Sequence, residues 1–159
     1  MMKKTIFCSL IVVLTSCLTV NTVSAQIQWT PEQKAIIETE NTISDLAVKG
    51  DLQNYFSYFD DNFQNWGTNS NIPVSKEVFR KSMEYYTSEG SKVDHHIMVP
   101  VNVWVNGNYA YIDYYDLWVY VNKEGKKRVV RGKNLDVLLK KGNRWVLVAS
   151  MTQSDPQDN

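Results

Sequence analysis

Four apolar runs decide the reading of this chain: VDHHIMVPVNVWV (93–105), YAYIDYYDLWVYV (109–121), VVRGKNLDVLLK (129–140) and RWVLVASMTQ (144–153). Turn-forming residues stand at each junction: Asn106-Gly107-Asn108, then Lys123-Glu124-Gly125-Lys126, then Lys141-Gly142-Asn143. Alternating apolar runs broken at such intervals predict an antiparallel meander from Val93 to Met151, three long strands and a return strand. Pro100 falls inside the first run. It has no N–H to give a ladder, so it demands a bulge or an edge position.

Working outward, the upstream half reads as helices that need a surface to cover. Thr30-Pro31-Glu32-Gln33 is a helix start, with Thr30 as cap, Pro31 in the first turn and Gln33 completing a capping box. Ile36, Ile43, Leu46 and Ala47 recur near the 3.6-residue period until Gly50 stops the helix. Asp51 caps a second helix with Leu52, Tyr55, Phe56 and Phe59 on one side. A short strand is expected around Phe63 to Trp66, then a polar loop from Gly67. A third helix runs from a Ser75 cap through Val78, Phe79, Met83 and Tyr86 to Gly90. The expected class is α+β, a curved antiparallel sheet with three N-terminal helices.

The 159 residues suit one domain. Lys3 and Lys4, an apolar run from Thr5 to Leu18 and the small-residue end Val23-Ser24-Ala25 have the form of a secretory signal peptide over 1–25. That leaves a domain over 26–153 and a polar tail over 154–159. Leu14-Thr15-Ser16-Cys17 resembles a bacterial lipobox, the alternative in which acylated Cys17 anchors the protein to a membrane. Either processing implies export, to a periplasm or the exterior. Both cysteines, Cys8 and Cys17, lie in this leader, so cleavage after Ala25 removes disulfide, thiolate and cysteine-metal chemistry. Losing Lys3 and Lys4 from 17 basic residues leaves 15 against 17 acidic ones, a formal charge of −2. A balance so mild points away from nucleic acid.

Helix, helix, short strand, helix, then four strands resembles the order of the nuclear-transport-factor-2-like superfamily, which includes ketosteroid isomerase and the SnoaL-like proteins. Gly50-Asp51-Leu52 with Tyr55-Phe56 and Asp60-Asp61 is similar to the family's entry into its second helix. Lys140 to Ser150, a basic turn, Trp145 and an apolar strand, is similar to its last hairpin. The likeness runs from about Thr30 to Thr152. It implies a cone-shaped, cystatin-like or ketosteroid-isomerase-like roll around a pocket and pairing of two copies through the outer face of the sheet. Members of the superfamily include isomerases, cyclases, hydrolases and non-catalytic binders, so the fold does not select an activity.

Strand alternation over 109–121 places Tyr109, Tyr111, Asp113 and Tyr115 on one face and Ile112, Tyr114, Asp116 and Trp118 on the other. Each face holds aromatics and one acid. The candidates for acid–base chemistry are Asp113 or Asp116 with a tyrosine such as Tyr115. The candidate ligand-binding set is Trp66, His96, Tyr111, Asp113, Tyr115, Asn134 and Met151. Asp94-His95-His96 does not make a metal site, because neighbouring strand residues point to opposite faces and Asp94 with His96 gives two ligands only. No phosphate loop, nucleophile elbow or zinc helix motif occurs, and no cofactor is expected. Many catalytic or sugar-binding relatives carry a histidine four or six residues after the last-strand tryptophan. Ala149 and Met151 stand there, while Asn134 or Asp136 on the third strand and Ser150 or Thr152 on the last could still line the pocket with neutral hydrogen bonds. The expectation is therefore an exported, non-catalytic domain with an aromatic-lined pocket for a small apolar or aromatic molecule, acting as a homodimer. The alternative is an isomerase or hydratase using a pocket aspartate and tyrosine.

Overall fold

The computed structural model describes residues 28–155. The leader over 1–25, with the two cysteines and the lipobox-like sequence, lies outside them, as do the last four residues of the expected tail.

Helix α1 spans Pro31–Lys49 and is closed at both ends by the chemistry its sequence carries. The Thr30 hydroxyl accepts from the Gln33 N–H at 3.2 Å, and the Gln33 side chain accepts from the Thr30 N–H at 2.9 Å. Gly50 ends the helix in the left-handed conformation, φ +70°, which a residue with a Cβ rarely adopts. Asp51 then caps α2, Leu52–Ser57. Strand β1 (Phe59–Trp66) and the two-residue β2 (Val74–Ser75) precede α3, Lys76–Ser88, which is capped by Ser75. Strands β3 (Lys92–Asn106), β4 (Tyr109–Val121), β5 (Lys127–Lys141) and β6 (Arg144–Ser154) form the meander.

The six strands make one curved sheet in the order β2-β1-β6-β5-β4-β3. It departs from the expected wholly antiparallel arrangement at one joint, since β1 runs parallel to β6. The chain can reach that geometry because α3 and the meander separate the two strands in sequence, giving the long connection a parallel pair requires. Strand β1 is also longer than the sequence suggests. Phe59 opens it rather than extending α2, yet its ring remains in the core with Tyr55, Phe56, Phe63 and Phe79. Strand β6 likewise extends through Ser154, whose N–H donates to the Thr68 hydroxyl at 2.6 Å.

Pro100 obtains both of the conditions it needs. It lies on the edge strand β3, and the register slips between Pro100 and Asn102. The β3–β4 turn is Gly107-Asn108 and the β5–β6 turn is Gly142-Asn143, with positive φ confined to the glycines at +58° and +62°. Glycine first with a following residue of ordinary φ is the pattern of two-residue hairpin turns matched to strand twist.

The helices cover one face of the sheet. Ile36, Phe56, Phe63, Ile112 and Leu138 are fully buried between the two layers, and burying each side chain of this size contributes about 1.5–3 kcal/mol. Helix α1 lies along β3 and β4, pinned by the Gln33 side-chain amide donating to the Val103 carbonyl at 2.6 Å.

Candidate functional site

Between the helices and the sheet lies a cavity of about 1050 Å³ that opens to solvent. Aromatic side chains form much of its wall: Tyr55 from α2, Phe59 and Phe63 from β1, and Tyr114, Trp118 and Tyr120 from β4. Its buried and half-buried polar groups include Glu40 on α1, Asp116 on β4, Asn134 and Asp136 on β5, and Ser150 and Thr152 on β6, with further polar and basic residues where it opens to solvent. Every second residue of a strand shares a face, so β4 sends Tyr114, Asp116, Trp118 and Tyr120 inward together.

The buried acids form a connected cluster. The Tyr114 hydroxyl donates to Asp136 Oδ2 at 2.8 Å, and the Trp118 indole N–H donates to Asp116 Oδ2 at 2.6 Å. The Thr152 hydroxyl donates to Asn134 Oδ1 at 2.6 Å. Glu40 and Asp136 are each 3% exposed, and their carboxyl groups share a hydrogen bond. Two carboxylates cannot both ionise in such a contact, so the pair holds a proton. Burial, reinforced by the charge of Asp136, raises the Glu40 carboxyl well above its usual range. Burial also raises Asp136, to about 6, against the opposing hydrogen bonds of Ser150 and Tyr114. Asp116 is raised by burial and held back by donors from Trp118 and Asn134. Tyr120 is pushed up to about 12 and Tyr114 well above the phenol range, both by burial first, so each remains a hydrogen-bond donor. Glu40 Oε1 and Asp136 Oδ1 have no protein partner.

A backbone feature makes room for Asp116. Its cross-strand neighbour is Gly132. A Cβ at position 132 would stand 2.7 Å from Asp116 Oδ1, closer than real contacts come.

The residues singled out from sequence divide between the two faces. Asp116 and Asn134 line the large cavity. His96 stacks on Trp118, ring centroids 3.8 Å apart, but does not itself line the cavity. Burial, aided by His95, depresses the His96 imidazole to about 4, leaving it neutral near neutral pH. Trp66 is exposed at the end of β1 and donates its indole N–H to the Ser70 carbonyl at 2.9 Å, bracing the loop beside the cavity. Tyr111, Asp113, Tyr115 and Met151 are on the opposite, outer face of the sheet. There Asn102 joins the Tyr111 hydroxyl at 3.2 Å and Asp113 Oδ2 at 3.1 Å, and Tyr111 stacks on Trp104. Asp113, Tyr115 and Met151 border a shallow depression of about 300 Å³ together with Val101 and Leu135.

The face assignment changes the meaning of the last strand. Ser150 and Thr152 point into the cavity, whereas Ala149 and Met151 are not among its lining residues. The lack of histidine at 149 and 151 therefore says nothing about the chemistry inside.

Asp136, Ser150 and Thr152 take the pocket-lining places open to them from sequence, whereas Glu40 and Tyr114 were missed. Glu40 occupies the gap in the Ile36–Ile43 stripe, one turn after Ile36, where a charged residue breaks an otherwise buried line. Asp136 shares its strand face with the fully buried Leu138. Both were visible as carboxylates in apolar register.

No family model matches the sequence, and no curated protein matches it. Solved structures do match in shape. A ketosteroid isomerase-like protein from Erwinia carotovora superposes with a TM-score of 0.66 at 13% identity, covering 79% of this chain and 98% of the other. An NTF2-like protein of unknown function in nutrient uptake from Rhodospirillum rubrum gives 0.64 at 14% identity, covering 76% and 98%. The association domain of CaMKII from C. elegans gives 0.60 at 18% identity, covering 77% and 95%. The fold is thus the NTF2-like roll that the order of elements suggested.

Proposed function

We propose that this NTF2-like chain is an exported ligand-binding domain that encloses a small, largely apolar or aromatic molecule in the cavity between its helices and its sheet. The observation that carries the reading is the combination of an aromatic wall with a few converging buried polar groups, two of which, Glu40 and Asp136, have oxygens with no protein partner. Such composition is that of a small-molecule site. Export rests on the form of residues 1–25, with lipid anchoring at Cys17 as the variant processing. Mass spectrometry of the mature N-terminus separates cleavage before Gln26 from acylation at Cys17.

The test of binding is a thermal-shift screen of a metabolite library on the wild type, on Ser150→Trp, which fills the cavity, and on Asp113→Asn, which alters the outer face. A ligand should stabilise the wild type and Asp113→Asn and leave Ser150→Trp unmoved. If every stabilising compound acts equally on Ser150→Trp, the cavity is not the binding site.

One observation favours a second reading, an isomerase- or hydratase-like enzyme. Tyr114, Asp136 and Glu40 place a phenol beside two carboxyls that share a proton inside a largely apolar enclosure, with Asp116 as a separate carboxyl. A cluster of this kind can donate hydrogen bonds to a carbonyl oxygen while Asp116 removes a proton from a neighbouring carbon. Turnover of a carbonyl compound that disappears in both Asp116→Asn and Tyr114→Phe would establish it. The outer face, with Val99, Val101, Trp104, Tyr109, Tyr115 and Met151 exposed, suits the pairing of two copies. The same assembly habit is suggested by likeness to an association domain.

A further inference from the structure

The charge inside the cavity narrows the ligand class. The acids Glu40 on α1, Asp116 on β4 and Asp136 on β5 are influenced by burial, by one another and by the neutral donors Tyr114, Trp118, Asn134 and Ser150. The other titratable groups facing them are the phenols of Tyr55 on α2 and Tyr120 on β4. The basic residues that border the cavity, Lys49, Lys92, Lys126, Lys127 and Arg128, are all exposed to solvent. Lys127 there is paired with Asp94 at 2.7 Å, and the Arg128 guanidinium lies 5.4 Å above the ring of Tyr120. The inner wall thus shows two features that select cations. Stacked Trp118 and Tyr120 rings offer aromatic faces, one of which already attracts a guanidinium. Beside them are carboxyl oxygens, Glu40 Oε1 and Asp136 Oδ1, that are buried and unpartnered.

We propose, building on the ligand-binding reading above, that the cavity takes an aromatic amine in its protonated form, with the ammonium group beside Asp116 and the Glu40–Asp136 pair and the apolar body against Trp118 and Tyr120. An ammonium brings up to three N–H donors and no acceptor. It satisfies the orphaned oxygens, which an uncharged aromatic molecule leaves buried and unpaired. It also favours the ionised form of the acid pair, so binding displaces the proton that Glu40 and Asp136 hold between them. The exposed basic residues at the mouth are screened by salt and oppose entry only weakly.

The experiment uses three probes of one shape: tryptamine, the alcohol tryptophol and the acid indole-3-propionate. Titration calorimetry in two buffers of different ionisation enthalpy reads affinity and proton release together. Tryptamine should bind at least about tenfold more tightly than tryptophol at pH 7.5, a difference of about 1.4 kcal/mol. It should release up to one proton and weaken as pH falls towards 5, because protons then compete for the same oxygens. Asp136→Asn should remove both the preference and the proton release. If that variant lacks a cooperative melt, Asp116→Asn is used, with loss of preference again expected. Equal binding of tryptophol, tighter binding of indole-3-propionate, or no binding of any of the three overturns the amine assignment. In those cases an uncharged library ligand that Ser150→Trp fails to bind leaves the cavity reading standing. Absence of any such ligand removes both.

Discussion

Tyr114 bonds not to Asn134, the residue directly across from it on β5, but diagonally to Asp136, with 2.8 Å between the hydroxyl and Oδ2. This offset contact links the cavity to the acid that faces α1. It holds a negative charge where solvation is poor, and opposes the rise of the Asp136 carboxyl. Tyr114→Phe should cost about 1.5–3 kcal/mol, the range for a hydrogen bond to a charged group, and raise the Asp136 titration further. Chemical denaturation reads the first effect and carboxyl carbon NMR the second.

The Asp136 contribution to stability should fall as the solution is made less acidic, while His96, depressed to about 4 by burial, contributes in the opposite sense over much of the same range. Asp136 titrates near 3.8 when exposed and near 6 when folded, so between these values the folded chain holds the extra proton. The contribution is intact below about 4 and is lost as pH rises through about 6, with a slope of up to 1.4 kcal/mol per pH unit. Glu40 acts in the same sense. The denaturant midpoint of the wild type minus that of Asp136→Asn should decline from pH 4 to about 6 and level off above it, which cancels the opposing His96 contribution common to both.

Glu40→Leu should complete the stripe from Ile36 to Ala47. An apolar side chain of similar size removes the cost of burying the Glu40 carboxyl and the repulsion between two like acids. The expected result near pH 7 is an unchanged or higher melting temperature together with weaker ligand binding, since the acid pair is gone. A marked fall in melting temperature would show that the pair supports the fold rather than the site.

Gly132→Ala should disturb Asp116. The added Cβ meets Oδ1 at 2.7 Å, so the carboxyl must turn and its bond to the Trp118 indole breaks. A cost of about 1–3 kcal/mol is expected for overpacking of this kind, with a shifted Trp118 signal in indole N–H NMR spectra.

On the outer face, Tyr115→Lys places a charge among exposed apolar side chains such as Val101 and Met151. If two copies pair there, light scattering should show the wild type as a dimer and this variant as a monomer, with the melting temperature of the variant no longer rising with concentration.

Much of the architecture was legible because its signals are local. Thr30, Gln33, Gly50, Asp51 and Ser75 each act within four residues of themselves, and all five cap where expected. Gly107 and Gly142 set hairpin registers in the same short-range way. The choice of sheet face was not local. Strand β4 carries tyrosines and one aspartate on each side, so alternation gives two equivalent sets. What separates Asp116 from Asp113 is the placement of α1 against β3 and β4, a contact between distant parts of the chain. The parallel joint between β1 and β6 was hidden for the same reason. Glu40 and Asp136 were readable one at a time as acids in apolar register, but their meeting depends on packing between layers.

Strand β3 is 15 residues long and forms one border of the sheet. A border of that length could recruit a strand from another molecule and seed aggregation. Pro100 removes a donor midway, and register slips after Val93 and Pro100 break the regular ladder into short segments. The same proline that had to be accommodated in the fold therefore makes this border a poor template for an added strand.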